Sequence, residues 1–162
     1  MDSEALLQAH AEVAVALAGF ASVVAALRRP LSPFARQRFL SLLALAMIQI
    51  LGCLLPLWSV SLFDSTATAW RTLSTVVLGL SAARMWWLVV LPSRALGQGT
   101  LTILNPLASK LIWGTGLVAH LLLVLNMVGF PASPSFHVYY AALLATLLVG
   151  FALFADVAVS DA

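Results

Sequence analysis

Charge is scarce in this sequence: 8 Lys and Arg and 6 Asp and Glu are spread over 162 residues. With 9% charged and 62% apolar residues, the chain lies far from the roughly 25% charged composition of soluble domains. A soluble core could not hide so much apolar surface. Cysteine is reduced to Cys53 alone, which excludes an intrachain disulfide and leaves the redox compartment unread. The three histidines, His10, His120 and His137, are scattered and no Cys, Asp or Glu cluster joins them, so zinc-ligand spacing is missing. His10 and His137 sit at similar depth on different spans, as two axial haem ligands would, but only the residue type supports that reading, and no cofactor or metal is expected. No serine falls in a nucleophile elbow, and Cys53 in Gly52-Cys53-Leu54-Leu55 has no base near it in sequence, so no catalytic residue is assigned and no enzyme is expected.

What the chain does have is five long apolar stretches, Leu6–Leu27, Phe39–Phe63, Thr72–Pro92, Leu111–Phe130 and Val138–Ala155. Each is close to the roughly 20 residues that a helix needs to cross a bilayer core. Short connections leave no room for a soluble domain between them. The expectation is one transmembrane helical domain over residues 1–162: an all-α membrane protein, a bundle of five transmembrane helices.

The basic residues set an orientation. Arg28, Arg29, Arg36 and Arg38 lie in the first connection and Arg94 and Lys110 bound the third, whereas the second carries only Arg71 and the fourth none. By the positive-inside rule the Arg-rich connections are cytoplasmic, which puts the N-terminus outside and the C-terminus in the cytoplasm of a cell whose cytoplasmic (inner) membrane holds the protein. The net charge of +2 is therefore an orientation signal, and no nucleic-acid partner is expected. The acidic start Met1-Asp2-Ser3-Glu4 differs from the basic opening of a signal peptide and is read as the beginning of a retained first helix. Cys53 is far from both termini and offers no lipidation motif.

Aromatic residues form two belts on this reading, Trp58, Trp70, Tyr139 and Tyr140 at the outer ends and Trp86, Trp87 and Trp113 toward the inner ends. Pro30 and Pro33 break the chain after the first span, Pro92 ends the third, and Gly129 to Pro134 form the last outer turn. Pro56, inside the second span, frees a backbone carbonyl that a neighbouring helix or Ser59 must satisfy. The long connection Ser93 to Lys110 carries Leu101, Ile103, Leu104 and Leu107. It reads as a loop or an early start to the fourth span, with an interfacial segment as the alternative.

Between helices in lipid, small residues are the readable packing signal, because lipid is as apolar as leucine. Ala14, Ala18, Ser22 and Ala26 recur every four residues on the first span, bordered by Gly19, and form the candidate helix-packing face. A weaker one involves Ala141, Ala145, Gly150 and Ala152. Such faces meet within the chain or across an oligomer, so a homo-oligomer or another membrane protein is the expected partner besides the bilayer.

Polar residues within spans are the functional pointers. Gln49 and His120 both fall near mid-span and are expected to hydrogen-bond each other. With Glu12 and Asn126 in the outer third they make up a candidate intramembrane polar path. Arg84 is placed to reach cytoplasmic lipid headgroups by snorkelling. Two readings follow. The leading one is a small multi-pass protein acting as a packing and interaction subunit of a membrane assembly. The alternative is a homo-oligomeric channel or proton-linked transporter that uses the four polar residues.

Overall fold

A computed structural model of the chain describes residues 3–27, 33–91, 106–130 and 133–159. Five helices, each long and apolar enough to cross a membrane, make up nearly all of it. They are α1 (Ser3–Leu27), α2 (Pro33–Ser59), α3 (Thr66–Met85), α4 (Pro106–Val128) and α5 (Phe136–Val159). A 3-10 turn, Val60–Leu62, follows α2, and a wider π-helical turn, Trp86–Val90, extends α3.

The helices run past the apolar stretches wherever the sequence supplies a good cap. Pro33 and Pro106 each open a helix, so α2 starts six residues and α4 five residues ahead of the apolar run. Proline suits the first helical turn, whose N–H groups have no intrahelical acceptor. Pro33, expected only to break the chain, is thus a helix start. At α3 the Ser65 hydroxyl accepts from the Thr68 N–H at 3.1 Å, an N-cap that begins the helix ahead of Thr72. Helix α4 ends at Gly129, whose φ of +77° lets the N–H groups of Gly129 and Phe130 both reach the Leu125 carbonyl, at 2.9 and 3.1 Å. The early start of α4 takes up the end of the long third connection. The rest of it, residues 92–105, lies outside the described residues, as do Arg28, Arg29, Pro30 and Arg94.

Helices α2 and α5 are central. Helix α1 packs on both, α3 packs on α2, and α4 bridges α3 and α5. Among the described residues the backbones of α2 and α4 nowhere come within 8 Å, Cα to Cα, so α2, α3, α4 and α5 leave a gap between them. One end of this bundle holds Arg36, Arg38, Arg84 and Lys110 and is called here the Arg-rich end. In the opposite half, Trp70, Leu73, Val77, Leu123, Tyr139 and Leu143 fill the gap. In the Arg-rich half, a second cluster of Leu17, Leu42, Leu45, Leu147, Val149 and Leu153 lies between α1, α2 and α5 and leaves the α2–α4 side open. The outward faces are apolar, with Phe20, Met47, Leu117 and Leu148 exposed, the inverse of a soluble surface.

The expected packing face on α1 is displaced. The residues buried on α1 are Leu7, His10, Ala11, Ala14, Leu17, Ala21 and Ala25, whereas Ala18 is half-buried and Ser22 and Ala26 are exposed. The cause is helical pitch: at 3.6 residues per turn, every fourth position drifts by about 40°, or about 120° over three steps. Ala14 faces the core and Ser22 and Ala26 have turned away from it. On α5, Gly150 is the small residue that permits close approach, since a Cβ there would sit 3.0 Å from Leu17 Cδ2, while Ala141 is exposed.

Candidate functional site

Pro56 creates a polar demand inside α2. Pro56 has no N–H to give the Gly52 carbonyl four residues earlier. The Tyr139 hydroxyl of α5 donates to that carbonyl at 2.6 Å, whereas Ser59 returns its hydroxyl to the Leu55 carbonyl of its own helix at 2.6 Å. Gly52 makes room for the contact, because a Cβ there would lie 3.0 Å from Leu143 Cδ2 and 3.4 Å from the Tyr139 hydroxyl. The Gln37 side chain of α2 donates to the Leu88 carbonyl at 2.5 Å, within the π-helical turn.

The structure separates the four residues of the candidate path. Gln49 pairs with His10 and not with His120: His10 Nε2 donates to Gln49 Oε1 at 2.8 Å, and both side chains are buried. Equal depth does not make two helices neighbours, and α1 packs against α2 where α4 does not. The His10 ring also meets Tyr140 edge-on at 5.7 Å. His10 Nδ1 and Gln49 Nε2 have no hydrogen-bond partner among the described residues. His120 donates from Nδ1 to the Gly116 carbonyl of its own helix at 2.7 Å. Asn126 is buried and donates to Ser74 Oγ at 2.8 Å while accepting from the Ser135 N–H at 2.8 Å, thereby tying α3 and α4 to the start of α5. Glu12 is exposed and accepts from Gln8 at 3.5 Å. Among the described residues, no hydrogen bond joins any two of the four.

The outer aromatic belt is also partly core. Trp58 is 81% exposed, but Trp70 and Tyr139 are 7% and 0% exposed, and their rings pack on each other at 5.3 Å. Tyr139 is drawn inward by the Gly52 carbonyl, a demand that belt statistics do not contain. His137 is exposed and its ring meets Phe136 edge-on. Its Phe136 neighbour and the Gln49 bond of His10 give the two histidines separate roles. Among the described residues no group of three or more His, Cys, Asp or Glu is placed to hold a metal ion.

Arg84 is a charged group whose hydrogen bonding is incomplete among the described residues. One guanidinium nitrogen donates to Ser41 Oγ at 2.7 Å and another lies 3.4 Å from Met85 Sδ. Its Nε is buried and has no partner among the described residues. Arg84 borders a cavity of about 310 Å³ formed in the gap that α2 and α4 leave open. Gln37, Arg38 and Ser41 join Arg84 at the polar end, and Met85, Leu88, Ile112, Trp113 and Leu117 supply apolar wall. His120, Val149 and Leu153 also line it. Sequence reasoning placed Arg84 as a headgroup anchor but missed the cavity, because nothing in a linear pattern states that two helices fail to meet. No family model, curated protein or solved structure matches this chain.

Proposed function

We propose that this chain is a five-span integral membrane protein that acts as a packing and interaction subunit of a membrane assembly. Its N-terminus lies outside and its Arg-rich end faces the cytoplasm. The observation that carries this reading is the use made of polar groups. Tyr139, Asn126 and Gln37 each satisfy a backbone group or tie helices together. Ser22, Thr72, Thr75 and Thr146 return their hydroxyls to carbonyls four residues back on their own helices. Polar chemistry is thus used for holding helices, and it leaves α1 with an outward face of small residues. Gly19 has open space where a Cβ would stand, and Ser22 and Ala26 are exposed beside it, so a partner helix can approach closely there. The channel reading needs Glu12, Gln49, His120 and Asn126 on one path, and their separate partners favour it less.

The test is association. Doubling Ser22→Leu with Ala26→Leu changes residues that the fold does not bury, so the monomer stays intact while native gels of mild-detergent extracts lose the assembly. An assembly that survives both substitutions, or a wild-type protein that is monomeric in the mildest extract, overturns the reading. Orientation is tested separately: an impermeant maleimide on intact cells labels Ser3→Cys and leaves Lys110→Cys unlabelled.

A further inference from the structure

An arginine within a membrane-spanning helix is costly unless its charge is met by an anion, by water or by headgroups. Arg84 has none of the first among the described residues. Its contacts are a neutral hydroxyl and a thioether, with Nε left over. The cavity beside it has a polar end and an apolar wall on α4 that runs from Ile112 up to His120, about 12 Å at about 1.5 Å per residue. Its volume of about 310 Å³ lies at the lower end of ligand pockets. No Asp or Glu lines it. A positive end joined to a greasy tunnel is the complement of an anionic amphiphile.

Depth selects which one. Trp86, Trp87 and Trp113 are 47%, 66% and 42% exposed in the Arg-rich half, and exposed tryptophans mark the side nearer the headgroups. Arg84 is six residues, about 9 Å, from Val90 at the end of its span, a depth from which its long side chain can snorkel to a lipid phosphate. Its planar fork can take two phosphate oxygens at once, and Ser41 already holds one arm of it in place. We infer that the cavity is a binding site for one anionic phospholipid of the surrounding bilayer, with its phosphate on Arg84 and one acyl chain between α2 and α4. The inference rests on the membrane placement proposed above and not on the α1 association face.

Native mass spectrometry of the whole protein, released from nanodiscs of phosphatidylglycerol mixed equally with phosphatidylcholine, reads this directly. One phosphatidylglycerol per chain is retained in preference to phosphatidylcholine, and Arg84→Met lowers that retention about tenfold while Arg84→Lys keeps part of it. Gly116→Leu provides a second handle. A Cβ there meets only Val149 Cγ2, at 3.9 Å, so the new side chain fits the backbone, fills the cavity and expels the lipid with Arg84 untouched. Equal retention of the two lipids, retention unchanged by both substitutions, or a bound fatty acid in place of phospholipid overturns the inference. A protein that fractionates away from membranes overturns the membrane placement instead, so the two failures are distinguishable.

Discussion

The two halves of the bundle differ in how completely they pack around their polar groups. In the half away from the Arg-rich end, the carbonyl freed by Pro56 is met by Tyr139, and Asn126 links Ser74 to Ser135. Trp70, Leu123 and Leu143 close the space around them. In the Arg-rich half Gln37 donates to the Leu88 carbonyl, but α2 and α4 stay apart and Arg84 borders an open cavity. What sets the two halves apart is that a charged group stands beside unfilled space in one of them.

Breaking the closed half should have the larger effects on stability. Gly52→Leu forces a side chain into the contact with Leu143 and Tyr139 and should cost about 3 kcal/mol through overpacking and the displaced hydroxyl, measured by unfolding in mixed micelles. Asn126→Leu strands the Ser135 N–H and the Ser74 hydroxyl and should cost about 2 kcal/mol in the same assay. A cost near zero would mean that Asn126 does not tie the helices.

Tyr139→Phe should cost about 1 kcal/mol, the scale of hydrogen bonds between helices in membranes. This one can be sharpened into a cycle. In a Pro56→Ala background residue 56 has an N–H for Gly52, so the Tyr139→Phe penalty should shrink toward zero. An undiminished penalty would show that Tyr139 acts through packing and not through the freed carbonyl. At the small end, His120→Leu should change stability by less than about 0.5 kcal/mol, because His120 bonds only to its own helix and faces the cavity. A large loss there would erase the contrast between the halves.

Much of this was legible residue by residue, with physical limits that can be named. The five apolar runs mark the five helices, each long and apolar enough to cross a membrane with its backbone groups bonded internally. The helix starts at Pro33, Ser65 and Pro106 were written locally too, but an apolar-run criterion is blind to caps. The drift of Ala18, Ser22 and Ala26 away from the core side that Ala14 occupies follows from pitch alone. The pairing of Gln49 was not legible, since depth along a span says nothing about which helix lies alongside.

Composition, hydropathy and capping, then, set the helical class, the number of helices and the demand for an outside donor at Gly52. Each depends on residues within a few positions of one another. Only tertiary structure decided which side chains answer that demand, that His10 and not His120 meets Gln49, and that α2 and α4 enclose a cavity beside Arg84. Those outcomes depend on which helices become neighbours, and in a chain whose spans are nearly uniformly apolar, hydrophobicity cannot choose neighbours; close packing and a few hydrogen bonds do.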